Sequence, residues 1–176
     1  MSEVLPLDIK IDPIGVIRTS ASVEEVKKSW IAGGVDGCVE VFKEYLDGLR
    51  GLEGFSHLLL LVWLHRTSLN QRRVLIVRPR VLTRFGFPLE KLPEVGVFAT
   101  DSPHRPNPIG IEVVELLRIE GNKLIVKGLD VYDGTPVIDI RPLTEDYIPS
   151  AGLRYPEWLL QLKEEVKKFF GKDIKI

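Results

Sequence analysis

Residues 111–141 read IEVVELLRIEGNKLIVKGLDVYDGTPVIDIR and carry the strongest signal for the fold class. Apolar and β-branched residues form three runs, Ile111–Ile119, Lys123–Tyr132 and Pro136–Arg141. The pairs Gly121-Asn122 and Asp133-Gly134 separate these runs and are typical of tight turns between strands. We therefore expect three consecutive strands that form an antiparallel meander.

Upstream of this stretch, further short runs rich in Val, Leu, Ile or Phe are separated by Gly, Pro or charged residues: Ile14–Arg18, Gly37–Phe42, Leu58–Leu64, Val74–Val81 and Val95–Ala99. Strands of this kind, without alternation with helices, favour a closed sheet over a doubly wound one. The sequence predicts a mainly β fold, a small antiparallel closed β-barrel with a C-terminal α-helix and short additional helices.

The predicted C-terminal helix starts near Pro156 and ends at Gly171. One face carries apolar residues at helical spacing, namely Trp158, Leu159, Leu162, Val166, Phe169 and Phe170. We expect this face to pack on the barrel, with dimer contacts or RNA capture as alternatives. Weaker patterns indicate a short helix over Val41–Leu49 and a helical or mobile stretch over Val23–Trp30. The predicted division is a barrel domain over 1–145 and a helical extension over 146–176.

Composition excludes several classes of protein. The chain of 176 residues has one cysteine, Cys38, so it forms no intramolecular disulfide or cysteine-based zinc cage, and a reducing compartment is favoured. The net charge of -1 excludes binding of nucleic acid by bulk charge. Met1–Pro6 does not resemble a secretory signal, and the longest apolar run, Leu58–Leu64, is far shorter than the ~20 residues of a membrane helix. We expect a cytoplasmic protein without a membrane anchor.

A proline-rich segment, residues 100–110, is the first candidate functional element. Its three prolines, Pro103, Pro106 and Pro108, fix backbone angles and remove amide donors, so the segment is a rigid loop. Such a loop presents carbonyl groups and the side chains of His104, Arg105 and Asn107 in a fixed arrangement, which lowers the ordering cost when a ligand binds. A stiff connector between strands is the alternative.

The second candidate is the turn at residues 128–136, where Asp130, Tyr132 and Asp133 lie within four positions. Carboxylates accept hydrogen bonds from ribose hydroxyls or an exocyclic amine and attract a cationic ligand, and a tyrosine ring offers a face to a base or a cation. An ordinary strand-connecting turn is the alternative.

A local cluster of arginines forms the third candidate. Between His65 and Phe85 the chain contains no Asp or Glu and six arginines, Arg66, Arg72, Arg73, Arg78, Arg80 and Arg84. Arginine binds phosphate in a bidentate manner and stacks on bases, so this cluster predicts RNA binding. A solvated strand face remains the alternative.

Other chemistries lack support. The three histidines, His57, His65 and His104, have no second ligand at metal-binding spacing, and we expect no metal. The sequence contains no nucleophile elbow, Walker loop or dinucleotide-binding glycine motif, so serine hydrolases, P-loop nucleotidases and Rossmann dehydrogenases are not favoured.

Five segments together resemble the TsaA-like (TrmO, YaeB) family: Ile14–Arg18, Val39–Phe42, Leu52–Leu58, Arg105–Gly110 and Asp133–Pro142. This resemblance implies a homodimeric β-barrel methyltransferase that uses S-adenosyl-L-methionine. The implied substrate is N6 of the threonylcarbamoyl-modified adenosine at position 37, in the anticodon loop of tRNA. The resemblance also implies donor contacts at His65, Arg66, Asp101, Ile111, Asp130, Val131, Tyr132 and Asp133.

For catalysis, Asp133 or a loop carbonyl is the candidate hydrogen-bond acceptor for the adenine N6 group, and Arg105 and Asn107 are further candidate catalytic residues. RNA contacts are expected at Arg72, Arg73, Arg78, Arg80 and Arg84. Two departures from the family pattern stand out, because Asp101 replaces a common Arg and Val23–Trp30 replaces an early Pro-x-Gln segment. The departures keep two other hypotheses open, a methyltransferase of another RNA or a small molecule, and a non-catalytic barrel that binds a nucleoside or RNA.

Overall fold

A computed structural model describes residues 9–174 and shows a closed barrel of six antiparallel strands. Its elements, in chain order, are β1 (Gly15–Arg18), α1 (Val23–Ser29), β2 (Val35–Val41), β3 (His57–Trp63), β4 (Ile76–Val77), β5 (Val95–Gly96), β6 (Ile109–Glu120), β7 (Lys123–Leu129), β8 (Pro136–Pro142) and α2 (Glu157–Phe170). The ring order is β1-β2-β7-β6-β3-β8, and β8 pairs with β1 to close it. The predicted fold class is confirmed. The interpretation of Met1–Pro6 lies outside the described residues.

The barrel core follows from the two-residue period of its strands. On β3, Leu58, Leu60 and Val62 are fully buried, while the residues between them are partly exposed. Val114 on β6 and Val126 on β7 point into the same core. Because alternate side chains of a strand face opposite sides, closure of the sheet encloses one apolar set without a second layer.

The β6–β7 hairpin is confirmed, but the predicted third strand of the meander is not its neighbour. Glu120 pairs with Lys123 across a turn in which Gly121 has a φ of 59°. In contrast, β8 pairs with β1 and β3, on the opposite side of the ring from β7. The prediction of a three-stranded meander is therefore wrong.

The reason lies in residues 130–135, which cross the end of the barrel instead of forming a hairpin. The Asp-Gly turn exists, since the Thr135 N–H donates to the Tyr132 carbonyl at 3.1 Å and Gly134 has a φ of 78°. However, Val131 is 5% exposed and belongs to the barrel core. Burial of this side chain draws the segment across the open end, and the chain rejoins the ring beside β1.

Residues 64–108 form an insertion between β3 and β6, which are neighbours in the barrel. At its base the Leu64 N–H donates to the Pro108 carbonyl at 2.7 Å. Two predicted strands in it, Val74–Val81 and Val95–Ala99, are wrong over most of their length. Only β4 and β5 pair, as a separate two-stranded sheet, because Pro79 has no amide donor and a 3-10 helix over Arg80–Phe85 follows at once.

The C-terminal helix forms as predicted, from Glu157 to Phe170 with Gly171 at its C-cap, but its buried residues are not part of the barrel core. Its buried residues Leu162 and Val166 join a second core with Leu82, Phe87 and Leu92 of the insertion. The physical reason is that the short 3-10 helices of the insertion cannot enclose their apolar residues alone, whereas the barrel strands already enclose their own core.

The weaker helical patterns also have structural counterparts. Over Val23–Trp30 the helical alternative is confirmed as α1, which starts at a capping box between Ser22 and Glu25. The short helix expected over Val41–Leu49 is a 3-10 helix at Lys43–Leu49. Within residues 9–174, the structure contains no helix with the length and apolar character needed to cross a membrane.

Candidate functional site

One end of the barrel, which we call the loop end, gathers most of the residues singled out from the sequence. Here β1, β3 and β7 finish and β2, β6 and β8 begin. The topology therefore brings together His65 and Arg66 after β3, the proline-rich loop before β6, and the segment Asp130–Thr135 between β7 and β8. These segments are far apart in sequence, and the antiparallel ring places them at one edge.

The segment Asp130–Thr135, which we call the donor loop, is anchored at several points. Val131 inserts into the core, and the Thr135 hydroxyl donates to the Tyr132 carbonyl at 2.7 Å. After β1, the Thr19 N–H donates to Asp133 Oδ1 at 3.1 Å. The Gly134 N–H donates to the Ile17 carbonyl at 2.9 Å. The loop is thus held in one conformation while Asp130 and Asp133 remain exposed.

His65 and Arg66 lie against this loop. The Arg66 guanidinium stands over the Tyr132 ring, 4.5 Å from its centroid, in a cation–π contact. His65 Nδ1 lies 3.5 Å from the Thr135 hydroxyl, at the outer limit of a hydrogen bond. His65 is an exposed residue, but its ring is partly buried, and this loss of solvent lowers its pKa. The positive charge of Arg66 lowers the pKa further. The lowered pKa favours the neutral form of His65 at pH 7, and this form does not repel a cationic ligand.

Glu112 was missed by the sequence reasoning and lies directly beneath the donor loop. It is 7% exposed, and its Oε2 accepts the Asp130 N–H at 3.1 Å. The alternation of β6 could have revealed Glu112, because it lies two positions from the buried Val114 and therefore on the same face of the strand. Thr19 was also missed. Its contribution is a backbone amide, for which side-chain patterns give no signal.

Arg105 lies within the proline-rich loop and joins two of its carbonyl groups. Arg105 Nη1 donates to the carbonyls of Thr100 at 2.9 Å and Ser102 at 3.2 Å. His104 Nε2 lies 3.1 Å from Gln71 Nε2, which links the loop to the start of the insertion. The structure thus gives Arg105 a positioning role, whereas Asn107 is exposed on the loop.

Two predicted donor contacts, Ile111 and Asp101, are not among the residues that hydrogen-bond to or pack against the donor loop. Ile111 is 65% exposed on the outer face of β6, opposite in phase to Glu112. Asp101 is exposed on the proline-rich loop. The structure brings His65, Arg66, Asp130, Val131, Tyr132 and Asp133 into one cluster, and it leaves Ile111 on the barrel's outer wall.

The six arginines do not form one uniform patch. Arg72 stands over the Trp63 ring at 5.1 Å and donates to the Thr67 carbonyl at 3.3 Å. Arg78 pairs with Glu94 at 3.2 Å and donates to the Leu92 carbonyl at 3.0 Å. Although the chain between His65 and Phe85 contains no Asp or Glu, folding places the carboxylate of Glu94 against Arg78.

The remaining arginines differ in their surroundings. Arg84 lies near enough to Glu24 to lower the pKa of that carboxyl, after the larger effects of Lys27 and Lys28. Arg73 and Arg80 are exposed. Arg66, Arg73 and Arg80 are consequently the members of the cluster best placed to meet an anionic partner. Within residues 9–174, no group of three or more His, Cys, Asp or Glu side chains is arranged to hold a metal ion.

A family model described as the tRNA-methyltransferase O N-terminal domain matches residues 23–148. The chain belongs to this family. The match contains β2 to β8, and therefore the insertion, the proline-rich loop and the donor loop. The family resemblance inferred from the sequence is confirmed.

Curated relatives of this TrmO-family chain include archaeal and mammalian proteins. A "Probable S-adenosyl-L-methionine-binding protein" of Archaeoglobus fulgidus is 45% identical over 129 residues, which are 73% of this chain and 32% of the relative. A protein of the same name from Methanothermobacter thermautotrophicus is 42% identical over 147 residues, 83% of this chain and 97% of the relative. A "tRNA (adenine(37)-N6)-methyltransferase" of Mus musculus is 32% identical over 142 residues, 77% of this chain and 31% of the relative. The chain thus spans about a third of two of these relatives and almost all of the other.

Solved structures of the TrmO family share the fold. A crystal structure of TrmO is 28% identical in sequence and aligns with a TM-score of 0.62 over 93% of this chain and 76% of its own. A crystal structure of TrmO from Pseudomonas aeruginosa is 27% identical, with a TM-score of 0.61 over 93% of this chain and 75% of its own. The barrel with its insertion is therefore an architecture that this family uses.

Proposed function

We propose that this protein transfers a methyl group from S-adenosyl-L-methionine to N6 of the adenosine at position 37 of tRNA, with the threonylcarbamoyl-modified nucleoside as substrate. The observation that carries the proposal is the family match, which spans the donor loop and the proline-rich loop together. The names of the relatives support the coarser statement, that the chain is an S-adenosyl-L-methionine-dependent tRNA methyltransferase. The threonylcarbamoyl group rests on the sequence resemblance.

The residues at the loop end fit the donor chemically. S-adenosyl-L-methionine carries a sulfonium and an ammonium, and the exposed carboxylates of Asp130 and Asp133 attract such cations. Its ribose hydroxyls can donate to the same carboxylates, and the Tyr132 ring offers an apolar face. The Arg66 guanidinium is suited to the donor's carboxylate. When bound, the donor supplies an electrophilic methyl group.

The acceptor side needs a group that accepts a hydrogen bond from the adenine amine. Asp133 suits this role, because its position is fixed by the Thr19 N–H and a carboxylate can accept several hydrogen bonds. A hydrogen bond from the N6–H to Asp133 would localise the nitrogen lone pair and raise its nucleophilicity. The carboxylate would take up this proton as the N6–methyl bond forms and the sulfur–methyl bond breaks, which leaves a neutral thioether. Asn107, exposed on the rigid loop, is suited to the base edge, and Arg105 keeps that loop in place.

Most of the rate acceleration would come from placement. Methyl transfer is an in-line displacement, and holding two reactants in near-attack geometry removes a large share of its barrier. A loop that is anchored by the buried Val131 and by Thr19 meets this requirement without ordering at the moment of binding. An anticodon-loop base is single-stranded, so its presentation to the site costs less than the extrusion of a paired base.

The proposal includes a homodimer in the cytoplasm. The outer face of β6 carries the exposed apolar residues Ile111, Val113 and Leu117, a stripe that begins at the loop end. An exposed apolar surface of this kind is typical of an interface, and a second subunit there would cover Ile111 and adjoin the site. The division into a barrel domain over 1–145 and a helical extension over 146–176 is part of the same proposal.

Two experiments test the proposed function. Calorimetric titration with S-adenosyl-L-methionine should show binding, and its absence would leave only a nucleoside- or RNA-binding barrel. Labelled donor is then incubated with tRNA that bears or lacks the threonylcarbamoyl group. We expect label only on adenosine 37 of the modified tRNA. Label that is independent of this group, or on another RNA or a small molecule, would instead support the alternative methyltransferase that Asp101 suggested.

A further inference from the structure

The inner wall of the barrel carries an acidic residue at its functional end. Within residues 9–174, Glu112 is the one charged residue that is buried, with 7% of its surface exposed. Glu112 pairs with the buried Leu60 across the β3–β6 ladder. The next inward-facing pair toward the loop end is Val62 and Gly110. Glu112 therefore lies between the apolar core and the donor loop.

A carboxylate in the barrel wall carries an energetic cost. Removing a carboxylate from water is unfavourable unless hydrogen bonds compensate, and an apolar side chain of similar size would fill the barrel without that cost. The Asp130 N–H donates to Glu112 Oε2 at 3.1 Å, which stabilises the charged form and ties it to the donor loop. An ionised Glu112 would add a negative charge close to a site whose exposed residues Asp130 and Asp133 are also carboxylates.

We infer that Glu112 is ionised and is a specificity-determining residue, which makes the loop-end site prefer a cationic ligand to its neutral counterpart. The inference rests on the proposed function, in which the sulfonium donor becomes a neutral thioether, S-adenosylhomocysteine, after transfer. Donor and product differ by a methyl group and one positive charge at sulfur. A buried negative charge attracts the donor's sulfonium and gives no such attraction to the thioether, so the product is released more readily.

The burial of Glu112 matters to this role. Exposed carboxylates such as Asp130 and Asp133 are screened by water and salt, whereas a charge enclosed by the barrel is screened much less. At separations of about 10 Å and intermediate dielectric, one such charge changes the affinity of a monovalent cation by roughly threefold to tenfold. The effect on a ligand without that charge is much smaller.

The experiment measures dissociation constants for S-adenosylmethionine and S-adenosylhomocysteine by calorimetry on the full chain. In Glu112→Gln the amide oxygen can still accept the Asp130 N–H, while the charge is lost. We expect the preference for the donor over the product to fall by about threefold to tenfold, chiefly through weaker donor binding. Glu112→Ala loses both the hydrogen bond and the charge, so both ligands should bind more weakly.

Glu53→Gln is the matched control, because Glu53 is exposed in the turn before β3, at the barrel end opposite the loop end. Its removal changes the net charge equally and should leave the ratio unchanged. An equal loss of both affinities in Glu112→Gln would show that Glu112 only positions the loop, and would overturn the inference. If the wild type binds neither ligand, the proposed function fails as well, whereas intact binding with an unchanged ratio removes this inference alone.

A measurement on the wild type covers the case in which the variants do not fold. The ratio of the two dissociation constants is measured between about 50 mM and 500 mM salt. We expect the preference for the donor to persist, since a buried charge is screened little. A preference that disappears at high salt would assign the selectivity to the exposed carboxylates and would overturn the inference.

Discussion

Asp133 combines a fixed position with an exposed charge. The Thr19 N–H holds its Oδ1 at 3.1 Å, and the turn around Gly134 keeps the side chain at the loop end. A carboxylate on a mobile loop would have to be ordered before it could act. The loop end therefore differs from an ordinary acidic turn in that its charges are placed before the ligand arrives.

We predict that Asp133→Asn lowers donor affinity or methyl-transfer turnover by about tenfold or more, because a hydrogen bond to a charged acceptor contributes roughly 1.5–3 kcal/mol. The amide oxygen of Asn can still accept the Thr19 N–H, so the melting temperature should change little. Calorimetry, single-turnover kinetics and thermal unfolding measure these effects. Asp47→Asn, which removes an exposed charge paired with Arg50, is the control. Wild-type affinity and kinetics in Asp133→Asn would contradict the site assignment.

His65 gives the loop end a pH dependence. The pKa of His65 is lowered by partial burial of its ring and then by the charge of Arg66. The unfolded chain therefore binds a proton at His65 more tightly than the folded protein does. The stability that follows from a neutral His65 is present above its usual pKa of about 6.5 and is lost as the pH falls below that value. We expect a titration midpoint below about 6.5 in a histidine NMR experiment, with the resonance identified by its absence in His65→Gln. A midpoint at or above the usual value would contradict the effect of burial and Arg66.

Among the elements, the proline-rich loop shows how a rigid segment is built without secondary structure. The prolines restrict its backbone, and Arg105 joins two of its carbonyls through one nitrogen. The loop then leads directly into β6 beside the donor loop.

We predict that Arg105→Ala reduces methyl-transfer turnover by about tenfold or more while the barrel stays folded. The expected cause is a loop that is no longer ordered, since the variant leaves the carbonyls of Thr100 and Ser102 without this donor. Steady-state kinetics with far-UV circular dichroism measure the two effects. Arg105→Lys restores one flexible donor and should recover part of the rate. If Arg105→Ala kept full activity, the loop's network would be shown to be irrelevant to catalysis.

The second core makes α2 a structural element of the insertion. Leu162 is 4% exposed against Leu82, Phe87 and Leu92, whereas Leu160, on the same helix, is 47% exposed. We predict that Leu162→Ala lowers the free energy of unfolding by about 2–4 kcal/mol and makes the insertion sensitive to protease. Leu160→Ala, the matched control, should stay within about 0.5 kcal/mol of wild type. Chemical denaturation and limited proteolysis measure these outcomes, and equal effects of the two variants would contradict the packing of α2.

At the scale of the whole molecule, charge is distributed unevenly despite a net charge of -1. Carboxylates lie at the donor loop, and exposed arginines lie on the insertion that emerges from the same barrel end. A cationic cofactor and an anionic polymer can therefore approach neighbouring surfaces of opposite sign. The fold separates the two surfaces by placing one on the barrel and the other on the insertion.

We predict that Arg73→Gln combined with Arg80→Gln weakens tRNA binding and reduces the slope of log affinity against log salt by about 1.5, because each phosphate contact releases counterions. These two arginines are chosen since Arg72 and Arg78 also hold the fold together. A double replacement of Arg50 and Arg118, both exposed, is the control for a loss of two charges. An unchanged slope in the Arg73 and Arg80 variant would make the insertion's arginines ordinary surface residues.

Sequence alone predicts the features that depend on local chemistry. The β class, the β6–β7 hairpin, helix α2, the rigid loop and the cluster of Asp130, Tyr132 and Asp133 follow from alternation, turn residues and prolines, which act within a few positions of the chain. The family resemblance is carried by short motifs of the same kind. These signals are readable because each constrains the backbone or the residue type where it occurs.

Tertiary structure decides what distant segments share. The placement of β8 opposite β7 depends on Val131 entering the core, and the pairing of α2 with the insertion depends on apolar surface that the 3-10 helices cannot cover. Tertiary structure also decides that Glu94 pairs with Arg78 and that Glu112 is buried under the donor loop. Closure of the barrel brings together residues that local patterns cannot relate, since burial is a property of the assembled ring.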